Sequence, residues 1–324
     1  MKPMTPDVRL ARHPGTSTGL VLALVSAVSF SLSGPLAGAL FETGWTPGAV
    51  VLVRVAIGAL VVLPFGIRAL RGDWGAVRRN ARMILAYGAL GVAATQFCYF
   101  AAVQHMQVGP ALLIEYSAPA AVVVWLWLRH GQRPARATFG GIALALAGLV
   151  LVLDLTGARV SLVGTAWALG AMVGASAYFL LNARANTGLP PLSLAAGGLT
   201  VGTVTLGTLA AVGVLPVSAS AAPVVLGGTT APWWAVLAML GLVTAGVAYV
   251  TGIAAGRRLG ARVAAFMGLL EVLSAVLLAW ALLGELPSPV QLVGGVLVLA
   301  GVVVVQQGEA SAARRATAVL AASA

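Results

Sequence analysis

Three ionisable side chains lie within long apolar stretches of the sequence: Arg54, Glu115 and Glu271. A charged side chain at the centre of a bilayer costs at least about 2.5–3.5 kcal/mol, so such residues usually face a cavity or a partner. Burial in apolar surroundings favours the neutral form of a carboxyl group. Glu271, near the middle of its stretch, is therefore a candidate proton carrier. The alternative is a protonated Glu271 bonded to the backbone of a neighbouring helix.

Arg54 and Glu115 lie at a similar depth, about 10–12 Å from the same membrane boundary at 1.5 Å per helical residue. They could form a structural ion pair, or Arg54 could snorkel towards the interface. The functional alternative is that Arg54 binds a substrate anion such as a carboxylate. We predict that both residues bind substrate and that Glu115 shares the proton-coupling role of Glu271.

Amides and amphipathic aromatic side chains recur in the same stretches and could line a polar cavity. Interfacial anchoring or plain packing is the competing explanation for each of them. Beside Arg54 and Glu115, the residues predicted to bind substrate are Gln96, Tyr99, Tyr116, Trp167, Tyr178 and Tyr249. Three prolines in or next to these stretches are candidate hinges: Pro35, Pro110 and Pro119.

The elements that carry these residues are predicted from composition and run length. Of the 324 residues, 60% are hydrophobic and 8% are charged, against about 25% charged in an average soluble domain. Stretches of about 20 apolar residues are long enough to cross the hydrocarbon. We predict an all-α membrane protein with ten transmembrane helices, near residues 18–40, 46–66, 82–104, 108–129, 135–154, 161–182, 192–215, 232–255, 260–283 and 288–307.

The basic residues predict the orientation of these helices. Of the 19 Lys and Arg, all except Arg54 and Arg159 fall in the two termini or in alternate loops that share one side. Cytoplasmic loops are the ones enriched in Lys and Arg. We therefore predict a multi-pass protein of the plasma membrane with both termini in the cytoplasm. The same distribution explains the net charge of +11 without nucleic-acid binding.

The sequence also contains an internal repeat. A shift of 153 residues places Ala111 on Ala264, Trp127 on Trp280, and Gly141 on Gly294. Because each repeat has an odd number of predicted helices, the second copy enters the membrane from the opposite face, as in transporters built from inverted repeats. We predict two five-helix domains, residues 18–154 and 161–307, between cytoplasmic tails formed by residues 1–17 and 308–324.

Motifs for catalysis, nucleotide binding and metal binding are missing from the sequence. It has no phosphate-cradling glycine loop and no HExxH. The single Cys98 and three scattered histidines form no metal set. We expect no enzyme activity, no metal and no cofactor. The expected partners are a small-molecule substrate and the lipid bilayer, and a homodimer is an open alternative to a monomer.

The motifs resemble the EamA-type domain of the drug/metabolite transporter superfamily. The block GLLEVLSAVLLAWALLGELPSPVQLVGGVLVLAGVVVV (268–305) has the family's acidic residue followed by Gly-Glu and a glycine-bearing last helix, and VLVRVAIGAL (51–60) has its Arg. ALLIEYSAPAAVVV (111–124) is similar to amino-acid exporters, including threonine/homoserine exporters. Two departures are Val272, where the family often has Pro, and Gln132, where the second copy has Glu285.

The resemblance implies a secondary transporter that exports amino acids or related small metabolites by alternating access of the two halves. Absence of ATP-binding motifs favours a gradient, and Glu271 favours protons, as the driving force. Two alternatives remain open. A membrane enzyme acting on lipid-linked groups would need a nucleophile or metal set at one depth. A structural or sensory membrane protein would not need three charges within the membrane.

Overall fold

The structure is a computed structural model that describes residues 14–106, 108–155, 161–184, 187–283 and 286–322. The helices of the first half are α1 (Pro14–Ser31), α2 (Ser33–Glu42), α3 (Pro47–Ala69), α4 (Trp74–Arg79), α5 (Ala81–Ala86), a π-helix π1 (Tyr87–Ala94), α6 (Thr95–Val103), α7 (Val108–Glu115), α8 (Ala118–His130) and α9 (Arg136–Val152).

The second half has fewer separate helices and adds a small hairpin. Its helices are α10 (Leu162–Asn182), α11 (Pro191–Ala211), α12 (Trp233–Met239), a π-helix π2 (Leu240–Val247), α13 (Ala248–Gly268), α14 (Leu270–Leu283) and α15 (Pro289–Ala322). Strands β1 (Val224–Leu226) and β2 (Thr229–Ala231) pair antiparallel between α11 and α12.

Eight helical segments in the described part of the chain are long and apolar enough to cross a membrane. Two features account for the difference between this number and the predicted ten. Helix α9 is apolar but has 17 residues, and the segment Trp233–Gly268 is 36 residues long. That long segment contains a sharp change of direction at Gly260, where φ is 77°. The count of ten therefore stays a prediction.

The last predicted span, residues 288–307, lies within α15, which continues as one helix to Ala322. The part of α15 that is apolar enough to cross a membrane is Pro289–Ser311. The full length of α15, 34 residues, corresponds to about 50 Å at 1.5 Å per residue, which exceeds the roughly 30 Å of a hydrocarbon core.

The repeat is visible in the irregular parts of the helices. The two π-helices, Tyr87–Ala94 and Leu240–Val247, differ by the same 153 residues as the sequence repeat. Helix α7 ends next to Tyr116, and the break between α13 and α14 is at Leu269, which is the equivalent position. π-Helical turns and broken helices are rare and often lie at functional sites.

The break at Tyr116 has a cause in the sequence. Pro119 lacks a backbone N–H and cannot bond to the carbonyl oxygen of Glu115 as a helix would require. The chain instead tightens, and the N–H of Ser117 donates to the carbonyl oxygen of Ile114 at 3.2 Å. The break at Leu269 occurs without proline. It follows Gly268, a weak helix former, and lies before rather than after Glu271.

Glycine pairs hold α9 against α15. A methyl group at Gly148 would come within 2.5 Å of the carbonyl oxygen of Gly294, and one at Gly141 within 2.8 Å of that of Gly301. The repeat relates Gly141 to Gly294 and Gly148 to Gly301, so it exchanges these two contacts. Reciprocal contacts of this kind are the signature of a two-fold relation. Glycine permits it because only a residue without a side chain lets helix backbones approach so closely.

Candidate functional site

A cavity lies between the two halves of the molecule. The first half contributes α1, π1 with α6, and α7 with α8, and the second contributes α10, α13 and α14. Its volume is about 130 Å³, far above the roughly 10–15 Å³ that one water molecule needs. Six of the predicted site residues line it: Gln96, Glu115, Tyr116, Tyr178, Tyr249 and Glu271.

Both carboxyl groups of the cavity are placed by the helix breaks. Glu115 is the last residue of α7, and Glu271 lies in the first turn of α14. The Tyr116 hydroxyl group and the Glu115 carboxyl group both interact electrostatically with the Glu271 carboxyl group.

Arg54 lies behind the cavity wall on α3. It is buried, with 6% of its surface exposed, and it adjoins the Tyr249 hydroxyl group while its charge acts on Glu271. Its Nε has no hydrogen-bond partner. Among the described residues, Arg54 forms no ion pair with Glu115 or Glu271. The structural ion pair considered from the sequence is therefore not formed in this conformation.

Three aromatic rings, Phe30, Tyr178 and Tyr249, line one side of the cavity, and Tyr87 packs against Tyr178 outside the lining. The ring centroids of Tyr178 and Tyr249 are 5.7 Å apart, those of Phe30 and Tyr249 are 5.1 Å apart, and those of Tyr87 and Tyr178 are 5.8 Å apart. Aromatic packing at such distances is favourable. Gly252 makes room for this cluster, because a methyl group there would lie 2.1 Å from the Tyr178 hydroxyl oxygen.

Besides Arg54, two predicted substrate-binding residues do not line the cavity. The Tyr99 ring packs against Phe100, with centroids 5.4 Å apart, in the cluster around Met106. Trp167 is 37% exposed and its ring packs edge-on against Phe97. Both lie on helices that reach the cavity but outside its lining, and both pack against neighbouring aromatic rings.

Several residues of the site were not predicted. Ser26, Phe30 and Thr95 line the cavity, and Asn182 is 1% exposed without a hydrogen-bond partner for its amide nitrogen or oxygen. Ser26, Thr95 and Asn182 carried a signal, because each is a polar side chain within an apolar stretch. Phe30 carried none, since an aromatic ring is common in any membrane helix.

No group of three or more His, Cys, Asp or Glu side chains in the described parts of the chain comes together as a metal site. The cavity is lined by two acidic side chains, Glu115 and Glu271, and the charge of Arg54 acts on Glu271. The arrangement is therefore suited to a small organic ion that carries both a positive and a negative group.

Comparison with known proteins is consistent with this geometry. The sequence matches the EamA-like transporter family twice, over residues 17–154 and 162–306. It is 30% identical over 182 residues to the threonine/homoserine exporter RhtA of Salmonella typhimurium (strain SL1344), a match that covers 55% of this chain and 58% of the exporter. The chain thus spans less than two thirds of that relative.

Two further matches cover more of the chain. A probable terminal-alkyne amino-acid exporter of Streptantibioticus cattleyicolor is 29% identical over 260 residues, which is 78% of this chain and 83% of that protein. The crystal structure of another protein superposes on this chain with a TM-score of 0.70 at 22% sequence identity, and the match covers 89% of this chain and 96% of that one. This second likeness concerns the fold alone.

Proposed function

The chain belongs to the EamA-like transporter family, and from that premise we propose that it exports amino acids or related small metabolites by proton-coupled alternating access. Its relatives are named transporters and amino-acid exporters, which supports a transporter rather than an enzyme and a small-molecule substrate. The apolar helices support a multi-pass membrane protein. The substrate, the coupling ion and the direction belong to the proposal.

The observation that carries the proposal is that side chains of opposite charge lie at or next to one cavity. Glu115 and Glu271 face the cavity, and Arg54 adjoins it through Tyr249. An amino acid carries an ammonium and a carboxylate group on one carbon atom. In this proposal Glu115 receives the ammonium group, and Arg54, which lies behind the cavity wall beside Tyr249, attracts the carboxylate by its positive charge.

The cavity walls leave room for a modest side chain. They include small residues such as Ala27 and Ala175 and the rings of Phe30 and Phe179. A wall of this kind binds apolar parts of a substrate and leaves its polar groups to a few fixed partners. The preferred substrates are therefore small amino acids with a short side chain.

Glu271 is assigned to proton coupling. It shares the cavity with Glu115, so a substrate ammonium group that enters adds a positive charge beside both carboxyl groups. A nearby positive charge favours the ionised form of a carboxyl group. Substrate binding therefore favours release of a proton, and substrate release favours its uptake, which is the exchange that a proton-coupled exporter requires.

The orientation follows the sequence prediction. In this proposal ten helices cross the plasma membrane, the two halves are inverted copies, and both termini are cytoplasmic. The reciprocal glycine contacts of α9 and α15 support a two-fold relation between the halves. The basic residues of alternate loops support the cytoplasmic side.

The test is transport by purified protein in proteoliposomes, with radiolabelled L-threonine and L-homoserine and a panel of other amino acids. We expect exchange of at least one small amino acid and its accumulation when a pH gradient is imposed. Glu271→Gln should retain exchange and lose the response to the gradient. The matched control is Asp73→Asn, which removes an exposed carboxylate that pairs only with Arg79 among its described neighbours.

Two results would contradict the proposal. If no amino acid on the panel is exchanged by protein that is folded and correctly inserted, the substrate assignment is wrong. If E271Q responds to the gradient as the unaltered protein does, Glu271 does not couple transport to protons.

A further inference from the structure

A second cavity of about 500 Å³ lies beside α2, α14 and the β-hairpin. Its wall includes Gly38 of α2, Ala275 of α14 and Val225 of β1. Glu42 is the one charged residue among the described residues that line it. Apart from Tyr116, none of its described lining residues belongs to the site described above.

The two cavities lie end to end along the first membrane segment. Residues 23, 26, 27 and 30 of α1 line the first cavity, and residues 34, 38 and 42 of α2 line the second. Most of these positions are separated by steps of three or four residues, so they form one continuous face of a helix. A single helix face that passes from one cavity to the other indicates one path with two compartments.

Tyr116 stands where the compartments meet. It is the one residue shared by the two linings in the part of the chain that the structure describes. Helix α14 also contributes to both cavities: Glu271 lines the first, and Val272 and Ala275 line the second. The boundary between the compartments thus runs between Tyr116 and the first turn of α14.

The helix break around Tyr116 and its neighbour Glu271 bear on whether the Tyr116 ring can move. Tyr116 lies in the two-residue break between α7 and α8, which has fewer backbone hydrogen bonds than a continuous helix because of Pro119. Its hydroxyl group lies within interaction range of the Glu271 carboxyl group. A hydrogen bond to an ionised carboxylate is roughly twice as strong as one to a neutral group, so the state of Glu271 sets how firmly the ring is held.

We propose that Tyr116 is the partition of the transport path: its ring separates the two cavities, and its hydrogen bond to Glu271 latches it shut. The inference rests on the proposed transport function and adds a positioning residue to it. Substrate passes from the first cavity to the second when the Tyr116 hydroxyl leaves Glu271 and the ring swings aside. Loss of either partner of the latch opens the path without a substrate.

The test uses thiol accessibility and needs no transport. Cys98 is the single cysteine of the chain, so Cys98→Ala provides a background without thiols. Ala275→Cys then reports on the second cavity and Ala175→Cys on the first, since each position lines its cavity and is partly accessible. A membrane-impermeant methanethiosulfonate reagent is added on the side from which A275C reacts.

With Tyr116 present, we expect A275C to react at least tenfold faster than A175C from that side. Tyr116→Ala should raise the A175C rate about tenfold and leave the A275C rate unchanged. An A175C rate that Y116A leaves unchanged would overturn the proposal. If Y116A loses A275C labelling and is thus misfolded, Tyr116→Leu replaces it, because leucine also lacks the ring.

The latch is tested by a double-mutant cycle. Tyr116→Phe and Glu271→Leu should each raise the A175C rate severalfold, and the double variant should raise it no further, because each removes one partner of the same hydrogen bond. Independent, multiplicative effects would show that no latch exists. A protein that exports no amino acid but shows this labelling pattern would refute the proposed substrate and retain the partition, so the two failures are distinguishable.

Discussion

A buried ion pair, Arg262 with Glu309, offers a quantitative prediction about what holds three helices together. Nη1 of Arg262 donates to both carboxylate oxygens of Glu309 at 2.7 and 2.6 Å, and Nη2 donates to the carbonyl oxygen of Gln132 at 3.2 Å. Thr138 donates to the same carboxylate at 2.9 Å. The group connects α13 with α15, α9 and the segment before α9.

The perturbation is Glu309→Gln, which keeps the shape of the side chain and removes its charge. Arg262 would remain charged in a site where 9% of its side chain is exposed. Removing one partner of a buried pair costs about 3–5 kcal/mol. Because 22% of the Glu309 side chain is exposed, the lower end of that range, about 3 kcal/mol, is the expected loss of unfolding free energy.

The assay is equilibrium unfolding in mixed detergent micelles, followed by tryptophan fluorescence. Thr138→Val is the matched control, because it removes one hydrogen bond to Glu309 without removing a charge and should cost about 1 kcal/mol. In an Arg262→Met background, E309Q should cost about 1 kcal/mol or less, since no unpaired cation is left behind. Equal costs for E309Q and T138V, or an undiminished cost of E309Q in the R262M background, would refute the reasoning.

Three further predictions concern the site and the topology. Gly252→Ala should destabilise the protein by about 1–3 kcal/mol through overpacking, because its methyl group would lie 2.1 Å from the Tyr178 hydroxyl oxygen. Gly140→Ala should not destabilise it, because nothing lies within 4 Å of a methyl group there. The same unfolding assay compares the two variants. Arg54→Gln should raise the KM for an amino acid at least tenfold and leave transport of its decarboxylated amine, if any, unchanged; equal losses for both would contradict carboxylate binding. A fluorescent protein fused after the last residue should fold and fluoresce, and alkaline phosphatase fused at the same place should be inactive; the reverse result would place the C-terminus outside the cytoplasm.

Much of the architecture followed from local properties of the chain. Membrane helices are recognisable because an apolar stretch must be long enough to cross the hydrocarbon and must satisfy its own backbone hydrogen bonds. The 153-residue shift found in the sequence recurs in the π-helices that begin at Tyr87 and Leu240 and in the breaks at Tyr116 and Leu269. The family assignment made from the motifs is confirmed by the matches over residues 17–154 and 162–306.

Arg262 shows where local reasoning stops. The sequence placed Arg262 with Arg257 and Arg258 in a basic loop, and no neighbouring residue in the sequence indicates its partner. The structure buries it against Glu309, which is 47 residues away. A charge pattern predicts the side of the membrane on which a residue lies, but the pairing of two distant side chains depends on how their helices pack.

The same distinction holds for the candidate site. The chain alone identified Arg54, Glu115 and Glu271 as the costly charges within the membrane, because their expense depends only on their apolar surroundings. Helix packing decided that Tyr116, Tyr178 and Tyr249 face one cavity while Tyr99 and Trp167 do not. The reason is physical: a membrane helix is apolar on all sides, so its sequence sets where it crosses but only weakly sets its rotation. That rotation is set by close packing against neighbouring helices, which appears only in three dimensions.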